Sequence, residues 1–86
     1  MERIIKLSIH HYNTDEVLKL ELPASTKTKE LTTYVYEHNF APFQKPGYFY
    51  IYMDHLMGLE HALSDYLPDD AKEMDIKLLN VPYIMV

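Results

Sequence analysis

The chain contains no cysteine, so disulfide staples, thiolate nucleophiles and zinc sites built on sulfur are excluded. Its 2 glycines are too few for a phosphate-cradling loop. Basic residues are also short: 8 Lys and Arg stand against 13 Asp and Glu. The resulting formal charge of −5 disfavours a nucleic-acid surface, whose affinity comes from cations neutralising phosphates. No run of eighteen apolar residues occurs, and MERIIKLSI carries charges at Glu2, Arg3 and Lys6 before it alternates, unlike a secretory signal. The expectation is a cytoplasmic protein without membrane insertion, nucleic-acid partner, cofactor or metal.

What is present is apolar matter, 48% of 86 residues, enough for one modest core. Ile5, Leu7 and Ile9 alternate with Lys6, Ser8 and His10, the period of a half-buried strand. Residues 12–16, YNTDE, are turn formers. Leu18, Leu20 and Leu22 then alternate with Lys19 and Glu21 until Pro23. The two strands read as a hairpin whose turn, lacking Asn-Gly or Asp-Gly, is longer than two residues.

Residues 25–39, STKTKELTTYVYEHN, organise the rest. Ser25 and Thr26 can cap a helix, and Leu31 and Val35 lie four apart, with Thr28 and His38 extending that side. Propensity alone would also allow a strand over residues 31–36, which hold three β-branched residues and two tyrosines. Position favours the helix, because one helix after two strands covers their shared apolar face.

Prolines at 42 and 46 force a loop over residues 40–47, with Phe40 and Phe43 closing one end of the core. Residues 48–53, YFYIYM, carry the strongest strand signal. A turn holding Gly58 and a short strand around Leu56 and Met57 follow. Residues 63–68 read as one helical turn, residues 69–75 as an acidic loop, and residues 76–81 as the last strand. The domain is expected to span residues 1–81, leaving 82–86 as an apolar tail.

This order, with Leu63-Ser64-Asp65-Tyr66 a short loop before the final strand, resembles ubiquitin, which carries the same LSDY at the equivalent point. The resemblance covers residues 4 to about 80 and implies an α+β, ubiquitin-like β-grasp fold: a mixed sheet of four to five strands on one helix. It places Ile51 at the centre of ubiquitin's exposed apolar patch, Leu79 on a patch valine, Met57 on a buried leucine, and Ile76 and Leu78 in the core. The sequence ends Val81-Pro82-Tyr83-Ile84-Met85-Val86 where conjugated relatives carry Gly-Gly, so attachment is not expected. In size and in lacking Gly-Gly the chain is most similar to the bacterial YukD/EsaB family, which implies an accessory role in type VII secretion.

Only one side of the 48–53 strand can cover the helix. The ubiquitin register turns Tyr48, Tyr50 and Tyr52 inward and leaves Phe49, Ile51 and Met53 outside, beside Leu79 and Val81. Large contiguous apolar patches are rare on soluble monomers, so this set is the candidate partner-binding surface of a non-catalytic adaptor. The tail could instead cover that face or pair with a second copy. In the reversed register the outward face would be a tyrosine ladder. A rival reading makes Asp65, Asp69, Asp70, Glu73 and Asp75 an acidic loop that imitates nucleic-acid phosphates, as in a small phage-type inhibitor; the bland reading is a solvated loop. His10 and His11, adjacent on a strand, point to opposite faces, while His55 and His61 flank a turn with Asp54 and Glu60. No nucleophile, base and orienting acid can be assembled around Ser8, Ser25 or Ser64.

Overall fold

The computed structural model describes residues 3–43 and 47–79. Alternation sets its first two strands. β1 (Ile4–His10) buries Ile5, Leu7 and Ile9, and β2 (Val17–Pro23) buries Leu20 and Leu22 with Leu18 partly covered. They pair antiparallel across a loop at residues 11–16. A 3-10 turn at Thr28–Glu30 leads into α1 (Leu31–Glu37), followed by β3 (Phe49–Tyr52), β4 (His55–Leu56), a second 3-10 turn (Leu63–Tyr66) and β5 (Glu73–Leu79).

The five strands form one sheet in the order β2-β1-β5-β3-β4. β5 lies parallel to β1 and antiparallel to β3. Leu31 and Val35 of α1 close over the same side of the sheet as Tyr48, Tyr50, Met74, Ile76 and Leu78, and Met57 and Leu63 complete the core. This is the α+β β-grasp arrangement implied by the resemblance.

The helix starts later than Ser25 and Thr26 suggest, and neither N-cap residue, Lys27 of the 3-10 turn or Glu30 of α1, bonds the turn that follows through its own side chain. Its free amides are met from a distance. Thr28 and Lys29 donate N–H to the His61 and Leu59 carbonyls at 2.9 and 3.0 Å, and the Lys27 amide donates to Glu30 Oε2 at 2.9 Å. The far end closes in a Schellman motif, with Asn39 left-handed (φ 53) and Phe40 N–H donating to Val35 O at 3.0 Å. His38, expected on the apolar side, is the exposed C-cap.

Two further expectations are corrected. β5 begins at Glu73, so Glu73 and Asp75 belong to a strand; their outward polar side chains disguise it. Phe43 is 72% exposed and leans on Tyr36, ring centres 4.9 Å apart, while Phe40 packs on the core.

Candidate functional site

Tyr48, just before β3, and Tyr50 within it decide which way the strand faces. Tyr48 and Tyr50 are buried under the helix, where Tyr48 donates its hydroxyl to Pro42 O at 2.6 Å and the Tyr50 hydroxyl meets Thr32 Oγ1 at 2.9 Å. Burial pushes both phenols up to about 12; the Tyr12 ring beside Tyr48 adds to its shift, and the Thr32 bond opposes that of Tyr50. Phe49 and Ile51 alternate with them on the opposite, outer face.

Register then assembles a surface. Phe49 pairs with Leu79, while Ile51 pairs with Lys77 on one side and Leu56 on the other. Leu56 is 61% exposed and Met53 73% exposed. Phe49, Ile51, Leu56 and Leu79 therefore line up across β5, β3 and β4 on the face away from the helix, and Met53, in the turn that follows β3, lies beside Ile51 and Leu79. Leu56 is the residue that sequence reasoning passed over: a two-residue strand shows no periodicity, and only pairing places it beside Ile51. Val81 and the tail lie outside the described residues.

The edge of this surface deepens into a groove of about 550 Å³. β5 floors it with Asp75, Lys77 and Leu79, His10 to Tyr12 wall one side, and Ile51, Met53 and Asp54 wall the other. His10 Nε2 stands 3.6 Å from Asp75 Oδ1, whereas Lys77 takes part in no ion pair among the described residues. The wall at Met53 and Asp54 is a two-residue hairpin turn in which both residues have positive φ, 49° and 67°. A type I′ turn demands that conformation and normally recruits Asn-Gly. Here it lifts a methionine into solvent.

The acidic set does not share a loop. Asp65 accepts from the Ala62 amide at 2.9 Å and sits 3.4 Å from His61 Nδ1. Asp69 and Asp70 lie in the turn before β5, where Arg3 Nη1 donates to the Pro68 carbonyl at 2.7 Å and also to that of Asp69. Glu73 and Asp75 stand on the sheet. The histidines are equally dispersed: His11 stacks on Tyr12, His61 approaches Asp65, and Glu60 pairs with Lys29 at 3.1 Å, a contact that with Lys27 nearby holds its carboxyl below the usual range. Among the described residues no three metal-ligating side chains converge. Ser64 spends its amide on the Ala24 carbonyl, and the Tyr66 hydroxyl accepts from Gly58 N–H at 2.6 Å.

No family model and no curated protein matches the chain. Solved structures do. Ubiquitin from Caldiarchaeum subterraneum superposes with a TM-score of 0.71 at 16% identity, covering 91% of this chain and 94% of its own. A protein described through molecular mimicry of SUMO in promoting DNA repair superposes with a TM-score of 0.68 at 12% identity, covering 93% and 95%. The fold is that of ubiquitin-like proteins.

Proposed function

We propose that this protein is a non-catalytic interaction module that binds another protein through the outer face formed by Phe49, Ile51, Met53, Leu56 and Leu79. One observation carries the reading: Ile51 sits in register with Leu56 on a face the helix leaves uncovered, Met53 lies in the turn beside them, and Leu56 and Met53 are both more than half exposed. Such a set repays desolvation when a partner covers it. The ubiquitin-like fold of the matched structures supports a protein-binding role. The narrower role in type VII secretion stands on the sequence resemblance alone. The carboxylates of the acidic-inhibitor reading are spread over a 3-10 turn, a turn and a strand and form no single loop.

The test compares Ile51→Asp with the triple substitution of Asp69, Asp70 and Glu73 by Ser, each checked for its fold by circular dichroism. Loss of partner capture by Ile51→Asp, with retention by the triple variant and in high salt, is the expected pattern. The opposite pattern would transfer the function to the acidic residues.

A further inference from the structure

The sheet has a second surface, its β2 edge. Glu16 and Ala24 flank β2, and both join β1 or its continuation: His11 N–H donates to Glu16 O at 3.0 Å and Ala24 N–H to Arg3 O at 2.8 Å. With the β1–β2 register between them, Leu18, Leu20 and Leu22 turn their backbone groups toward β1. Val17, Lys19 and Glu21 therefore turn N–H and C=O outward along an edge that no other strand of the described residues covers, and Pro23, having no N–H, leaves no donor idle there.

We infer that this edge pairs with the same edge of a second copy, antiparallel, with the two-fold axis between the two Leu20 residues. Charge selects the register. Outward-facing backbone groups can meet only where odd residues face odd residues. Centred on Leu20, Lys19 of each copy faces Glu21 of the other, and the two residues exchange both backbone hydrogen bonds, once on each side of the axis. The next register on one side sets Lys19 against Lys19, and on the other Glu21 against Glu21. Centring on Leu20 also places half-buried Leu18 against Leu22 and exposed Val17 against Pro23. The interface is isologous, so each favourable pair occurs twice. β2 lies at the far end of the strand order from β3 and β4, so pairing leaves both outer faces open and does not rest on the function proposed above.

Sedimentation velocity of the full chain over a concentration series at low ionic strength tests the assignment. The wild type is expected to dimerise. Lys19→Glu and Glu21→Lys, both at exposed positions, each set like charges opposite one another and should weaken association by about tenfold. Mixing the two variants restores opposite charges at both positions, so a mixed dimer should reappear. The double exchange should dimerise with itself. A wild type that stays monomeric throughout would overturn the assignment, as would single variants that dimerise unchanged or a mixture that remains monomeric.

Discussion

Ile51 and Leu56 face each other across the β3–β4 hairpin, on the side of the sheet that the helix does not touch. Removing one apolar side chain leaves the other without its neighbour, so they are expected to act as a unit. Leu56→Asp at a 61% exposed position should change stability by no more than about 0.5 kcal/mol. It should nevertheless reduce partner binding as Ile51→Asp does. Titration of both single variants and the double variant with a captured partner checks the coupling: full additivity would mean the two residues contact it separately.

The turn beside them holds Met53 and Asp54 in a backbone region that L-residues enter at a cost. Asp54→Gly relieves one such residue and should stabilise the domain by about 0.5–1 kcal/mol. A gain of 1 kcal/mol corresponds to a rise in Tm of about 4–8 °C for a domain of this size. Calorimetry should show the increase; an unchanged or lower Tm would mean that the aspartate side chain supports the turn in a way glycine cannot.

Stability is expected to fall at alkaline pH because of Tyr48 and Tyr50. Burial raises both from 10.0 to about 12, so below pH 10 folded and unfolded chains hold the proton alike. Above that the unfolded chain releases it first, and stability drops by up to about 1.4 kcal/mol per pH unit for each group until the folded phenols also ionise. Urea midpoints at about pH 8 and pH 11 measure the slope. Tyr50→Phe, which loses the Thr32 bond at a cost of about 1 kcal/mol, should reduce it.

Leu63 opens the second 3-10 turn and is fully buried, and its amide donates to Thr26 O at 3.0 Å. Leu63→Ala should cost about 2–5 kcal/mol, enough to approach unfolding in a domain of this size. Denaturant titration gives the value; a loss below about 1 kcal/mol would show that the surrounding loop collapses into the space.

Period-two alternation made β1 and β2 readable because it needs no partner to be visible: Ile5, Leu7 and Ile9 declare their face by spacing alone. The helix start was not readable, because its first amides are satisfied by carbonyls some thirty residues away, at Leu59 and His61. The beginning of β5 was hidden for a related reason. Glu73 and Asp75 look like loop residues until pairing with Lys6 and Ser8 places them on the solvated face. For the candidate site, the direction of the tyrosines was available from the resemblance, whereas Leu56 became visible only through its register with Ile51.

The parallel pairing of β1 with β5 joins the first and the last strand of the described residues at the centre of the sheet. Its loop spans nearly the whole domain, so the entropy of closing it must be met before the central contacts can form. During synthesis the N-terminal hairpin can assemble early, but β1 waits for its inner neighbour until Leu79 has left the ribosome. Folding should therefore be a late, cooperative event, and a chain stalled before β5 would present a bare apolar hairpin to chaperones and proteases.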